Sequence, residues 1–239
     1  MAEPKAAAAA APGAAGAAAR AVAHLRAADP VLRLAIDLVG PYEAELRHAP
    51  STFAALAEAI VHQQLSTTVA TTIFGRLVAA LAAFTPEAVL ATPDEGLRAA
   101  GLSRAKALAL ADLAARCTNG EVPTLEEARA LDDATIVERL SAVRGVGRWT
   151  AEMFLIFHLG RPDVLPTGDL GVRRGFALVT GAADLPTPKA LAAHGERWAP
   201  HRTAASWYLW RAAELGDLSP AAQPAPVRRN GPKQDAAGQ

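Results

Sequence analysis

From Asp29 onward, bulky apolar residues recur three and four positions apart, and no convincing run alternates in the two-residue rhythm of a half-buried strand. Asp29-Pro30 sets a side-chain cap and a first-turn proline ahead of VLRLAIDLV, and Thr85-Pro86-Glu87 and Thr187-Pro188 repeat that arrangement. Ser51 can cap a helix with Phe53, Leu56 and Ile60 on one face, and Ser66 the next one after a tight QQL turn. Ser103 can start the helix that holds Cys117. Asp133 opens a helix with Ile136 and Leu140 on its apolar stripe, and a glycine-bearing break follows. WTAEMFLIFHL is then apolar nearly all round, the pattern of a helix at the centre of a domain. The prediction is an all-α fold of about nine or ten helices around a central one, without internal repeats at solenoid spacing.

The two ends read differently. Residues 1–28 are dominated by alanine and broken by Pro12, Gly13 and Gly16, which leaves little bulky surface to pack; a disordered tail is expected there, helical at most near its end. Glu3 and Pro4 argue against a secretory signal, and no bulky apolar run is long enough to span a membrane, so a cytoplasmic protein is expected. Residues 219–239 are rich in proline and glycine and bring Arg228, Arg229 and Lys233 close together, as a disordered basic tail would. Residues 29–218 form the expected helical domain.

Composition narrows the chemistry. Roughly a quarter of the 239 residues are alanine and only 5% are aromatic, so the 51% apolar fraction overstates the bulky core. A single cysteine, Cys117, excludes an internal disulfide, a four-cysteine iron–sulfur cluster and a cysteine zinc site. The six histidines show no metal-ligand pairing, and neither a metal nor another cofactor is expected. With 24 basic and 24 acidic residues the formal charge is zero, which counts against a nucleic-acid partner until local charge is considered. Residues 140–174 carry Arg144, Arg148, Arg161, Arg173 and Arg174 against Glu152, Asp163 and Asp169, whereas residues 121–139 are strongly acidic. The neutral total hides a polarised surface.

In LSAVRGVGRWTAEMF, residues 140–154, one helix ends, Gly145 and Gly147 bracket Val146, and another helix begins at once. Glycines allow a tight turn and a close approach to another molecule, and the free amides of the next helix's first turn, Thr150 among them, lie at the positive end of its dipole. Such a hairpin either joins two helices and nothing more, or cradles a phosphate; Arg144 and Arg148 on its flanks favour the phosphate. An aspartate that begins a helix, as Asp169 does, is ordinarily a cap.

The stretch VRGVGRWTA resembles the hairpin of the helix-hairpin-helix, Gly/Pro-Asp superfamily of DNA base-excision glycosylases. HLGRPDVLPTGDLGVRRG then matches that family's Gly/Pro loop and its helix-starting aspartate. IVHQQLS at residues 60–66, GLSRAKA at 101–107 and RWAPHRTAASWYLWR at 197–211 extend the likeness over about residues 29–215, closest to the 3-methyladenine glycosylase II class. The resemblance implies two helical lobes around a DNA-binding cleft, with the hairpin motif at about 133–158. It implies Asp169 as the catalytic carboxylate, stabilising an oxocarbenium-like sugar and orienting a water. Strand-cutting relatives place a lysine at the second position after the hairpin's last glycine, where this chain has Trp149; a monofunctional glycosylase is therefore implied.

By the same resemblance, Trp149, Met153, Trp210 and Tyr208 would line a pocket for a flipped cationic purine, with Trp198 and Trp207 in the core. DNA would meet Arg144, Gly145, Val146, Gly147, Arg148 and Thr150 at the hairpin, and Gln63, Gln64 and Leu65 at the turn that supplies the family's wedge. Either Gln64 or Leu65 would insert; alternatively His62 and the glutamines cap two helix ends. Arg202 would clamp a phosphate or cap a helix. Relatives with a β-rich domain ahead of the helices make this a compact version, acting as a monomer on duplex DNA that contains damaged bases, with a hairpin able to hold a monovalent ion through carbonyls. A glycosylase for a deaminated, etheno or oxidised base, or a non-catalytic hairpin module that binds damaged DNA, would satisfy the same pattern.

Overall fold

The computed structural model describes residues 12–216, so the expected tail over 219–239 and the first eleven residues of the alanine-rich one lie outside the described residues. Side-chain caps start the helices largely where the sequence puts them. Asp29, Ser51, Thr85, Ser103 and Thr187 each accept the first-turn amides of the helix that follows. Ser66 sits at a helix start without bonding it, and the helix before the hairpin opens at Asp133, as expected, with Asp132 as its cap.

Among the described residues all regular structure is helical, and it is organised around two hydrophobic cores. The middle of the chain forms the first, from α3 (Thr52–His62), α4 (Thr67–Ala80), α5 (Pro86–Ala91), α6 (Asp94–Ala99), α7 (Arg104–Thr118), α8 (Leu125–Ala130), α9 (Asp133–Ser141) and α10 (Arg148–Phe157). The second is built from the two ends of the described chain, by α1 (Pro12–Ala28) and α2 (Pro30–Val39) with α11 (Leu170–Thr180), α12 (Pro188–Gly195), a short 3-10 turn and α13 (Arg202–Leu215). Trp210 on α13 packs against both cores. No described helix is long and apolar enough to cross a membrane.

Two expectations change. Residues 12–28, expected to be mostly disordered with helix only near their end, are helical throughout as α1, and Ala21 and Leu25 are buried in the second core. Small side chains let α1 lie close against its neighbours, so fully buried Leu25, buried Ala21 and partly buried Val22 suffice where a bulky stripe was sought. Among the described residues the helices number thirteen rather than nine or ten, because residues 86–130 include the six-residue pieces α5, α6 and α8.

Asp29 staples the second core together. Its Oδ1 accepts the amides of Val31 and Leu32 at 2.9 and 3.3 Å, while Oδ2 accepts the Trp198 indole at 2.9 Å and lies 2.7 Å from His194 Nε2. Burial pushes this carboxyl up, but the bonds from His194, Trp198 and the two amides outweigh burial, so it titrates below its ordinary 3.8. Asp29→Asn, with one acceptor oxygen for these donors, is expected to cost about 2 kcal/mol in urea unfolding at pH 6. A carboxyl whose folded pKa is depressed stabilises fully above its unfolded value and loses that contribution as pH falls through the folded one. The gap between wild type and variant should therefore close below about pH 4; a gap independent of pH would contradict the role given to the charge.

Candidate active site

The hairpin is set by burial on its inner side. Val143 and Val146 are buried in the first core, the Val146 amide donates to the Val143 carbonyl at 3.0 Å, and Gly145 takes the left-handed φ of +77° between them. Asp112 on α7 accepts the Arg144 amide at 2.8 Å and fixes the hairpin's approach. Gly147 caps α10 without a side-chain bond, so the amides of Arg148, Trp149 and Thr150 have no carbonyl of their own helix to meet and stand at its positive end. Arg144 and Arg148 are exposed on either side. Such an arrangement can hold an anion, with the Arg144 and Arg148 side chains beside it.

Asp169 caps α11. Its Oδ1 accepts the Val172 amide and the Trp210 indole, both at 2.8 Å, and its Oδ2 accepts the Trp149 indole at 2.6 Å. Three donors fix the plane of the carboxylate where the two cores meet. Trp210 stacks on Phe157, their ring centroids 5.8 Å apart, and the Arg47 guanidinium covers the far ring at 5.0 Å. Trp149 is 51% exposed, so an entering aromatic ring has access to its face. Behind them Glu152 is buried; burial pushes its carboxyl up, the Arg148 guanidinium at 2.8 Å opposes that, and the Asp169 charge adds to it.

The structure brings Trp149, Trp210 and Asp169 together, with Met153 half-buried one turn beyond Trp149 on α10, and joins the Gln63 amide to the Gly145 carbonyl at 2.8 Å. Gln64 and Leu65 are exposed on the turn beside the hairpin. Trp198 is core, as expected. Three expected residues serve elsewhere. Tyr208 is fully buried in the second core and donates its hydroxyl to the Gly40 carbonyl, so it lines no pocket. Arg202 makes a two-toothed ion pair with Asp163 at 2.8 and 2.9 Å and is not a free phosphate clamp. Val146 contributes geometry alone, its side chain buried and its amide spent inside the hairpin.

The basic window shrinks likewise. Arg161 donates to the carbonyls of Ala128, Arg129 and Leu131, and Arg173 to that of Pro186, which leaves Arg144, Arg148 and Arg174 exposed. A cavity of about 560 Å³ includes Asp133, Arg148, Glu152, Asp163, Thr167 and Arg202 in its lining but neither Asp169 nor any of the tryptophans.

Phe157 and Arg47 were not anticipated. Phe157 had a signal: Trp149, Met153 and Phe157 are four apart, one face of α10. Arg47 had none, because it comes from the irregular segment between α2 and α3 and is fixed by its backbone N–H, which donates to the Phe157 carbonyl at 2.7 Å.

A glycine hairpin between two helices, set beside a helix-capping aspartate at the meeting of two helical cores, defines a helix-hairpin-helix protein with a fixed carboxylate in its cleft. The chain belongs to the HhH-GPD superfamily of base excision DNA repair proteins, whose family model matches residues 57–201. It is 36% identical over 205 residues to DNA-3-methyladenine glycosylase 1 of Schizosaccharomyces pombe, covering 84% of this chain and 90% of that one. A solved S. pombe 3-methyladenine DNA glycosylase in complex with abasic DNA superposes with a TM-score of 0.74 at 36% identity, covering 84% of this chain and 99% of that one. A DNA-3-methyladenine glycosidase of Bacillus halodurans matches with the same TM-score and identity, over 81% of this chain and 88% of its own.

Proposed function

We propose that the protein is a DNA glycosylase that hydrolyses the N-glycosidic bond of alkylated purines of the 3-methyladenine type and leaves an unbroken strand with an abasic site. The single observation that carries this reading is the Asp169 carboxylate, held by two indole N–H groups at the start of α11 beside the hairpin. As the bond to the base stretches, positive charge grows on the sugar, and a carboxylate already oriented stabilises that charge without reorganising. The same carboxylate can direct a water to the sugar carbon.

An N-alkylated purine is a cationic ring and is itself a good leaving group, and the aromatic faces of Trp149 and Trp210 attract such a ring by roughly 0.5–2 kcal/mol. The Trp149 indole must yield Oδ2 as the substrate enters, which its exposure permits. Trp149 has no amine, so the residue after the hairpin cannot form the Schiff base that strand cleavage needs. Hairpin, turn and aspartate all come from one chain, and the proposed partner is duplex DNA bound by a monomer. The amide cradle and Arg144 hold the backbone without reading sequence.

The test is release of free bases from methylated duplex DNA, followed by a check for nicks before any alkali. Free 3-methyladenine or 7-methylguanine on unnicked strands is the expected result. No release despite tight binding would turn the reading to another lesion or to a binding module, and nicks without alkali would overturn the role given to Trp149.

A further inference from the structure

The turn between α3 and α4 is held in a way its own sequence does not require. Gln64 has φ +58°, the one left-handed residue other than glycine among the described residues, and it stands exposed with Leu65 and Ser66. Exposed turn tips are ordinarily mobile, and a strained conformation persists only where its surroundings over-determine it. Here the surroundings are named. The Lys106 ammonium, half-buried on the first turn of α7, donates to the carbonyls of Val61 and Gln63 at 2.7 and 2.8 Å. These carbonyls end α3, where the helix has no donors of its own and a cation is favoured by the dipole. On the other side the Gln63 side chain donates to the Gly145 carbonyl at 2.8 Å. The turn is thus tied to α7 by one side chain and to the hairpin by another, and Lys106 is a residue the chemistry at Asp169 does not use.

We infer that Lys106 is a positioning residue for base extrusion: its ammonium stiffens the Gln64–Leu65 turn so that the turn can occupy the space a flipped base leaves. The inference rests on the glycosylase reading above. A tip that yields under load cannot hold stacked bases apart, whereas a tip whose backbone carbonyls are clamped can. Lys106 should therefore matter where a base has to be drawn out of a stack, and matter little where it is already unstacked.

Single-turnover excision of a methylated purine is compared on duplex and on single-stranded DNA for the wild type, Lys106→Met and Lys106→Arg, each first shown to be folded by thermal melting. Lys106→Met is expected to slow excision from duplex about tenfold or more, the effect of losing two charge-assisted hydrogen bonds. Excision from single strands should change by less than about twofold, because little extrusion is needed there. Lys106→Arg should recover most of the duplex rate, and 2-aminopurine placed beside the lesion should report a smaller flipped fraction with Lys106→Met alone. Equal losses on both substrates, or an unchanged duplex rate, would overturn the inference. Should Lys106→Met not fold, Lys106→Gln, which keeps a donor on a shorter stem, is held to the same two expectations. If the wild type releases no base from either substrate, the glycosylase reading is what fails, and the two failures are told apart.

Discussion

Asp169→Asn is expected to lower the single-turnover rate of base release from methylated duplex DNA by about a thousandfold, close to 4 kcal/mol of transition-state stabilisation. The substitution keeps the size of the side chain and removes its charge, which is what a developing oxocarbenium ion senses. The local bonds sharpen the expectation. An asparagine whose oxygen stays on the Val172 amide and the Trp210 indole must point its own N–H2 at the Trp149 indole, now 2.6 Å away, so donor faces donor and Trp149 is released. Folding should suffer by only about 1 kcal/mol, since the cap to Val172 survives. Binding to an abasic-site duplex should persist, because the phosphate contacts proposed for the hairpin do not involve Asp169. Rates, melting and fluorescence anisotropy measured together separate these effects. A variant that binds and melts like the wild type yet retains more than about a tenth of its rate would remove Asp169 from the chemistry.

The parts of the site that were legible in the sequence are those written in a few consecutive residues. The glycine turn shows in the left-handed φ of Gly145, and the aspartate ahead of a helix shows in the cap that Asp169 makes; Gly147 itself is in ordinary extended backbone. What depends on distant partners was not legible. Arg202 finds its carboxylate 39 positions away in Asp163, and Lys106 finds its carbonyls 43 and 45 positions away. Tyr208 shows a different kind of miss. It lies two residues before Trp210, about 200° round the helix, so the two rings cannot face one cleft; treating WYLW as one aromatic group ignored that rotation. Helix α1 was legible only near its end, because alanine carries little transfer free energy, although it allows close packing. The all-helical class was legible throughout, since caps and stripes agree along nearly the whole described chain.

Gly175→Ala is expected to be the most damaging small substitution on the second core. Gly175 lies in the middle of α11 against α13, and a methyl group placed on it would meet the Leu209 carbonyl oxygen at 1.9 Å and its carbon at 2.6 Å. Both atoms are backbone, so no side chain can turn away, and the helices must part by more than about 1 Å to restore ordinary contact. Overpacking of this kind costs about 3 kcal/mol, enough to lower the melting temperature by roughly 10 °C in a domain of this size. Function should suffer beyond that loss. Residue 209 immediately precedes Trp210, and Asp169 caps α11, so parting the two helices stretches the 2.8 Å bond that aligns the carboxylate. At a temperature where the variant is fully folded, its excision rate should still fall, while binding to an abasic duplex through the hairpin changes little. Gly75→Ala is the counterpart: its site on α4 has nothing within 4 Å of the added carbon, and there alanine should be neutral or stabilising by up to about 1 kcal/mol. Equal melting temperatures for the two variants would mean that α11 and α13 do not approach as closely as the structure has them.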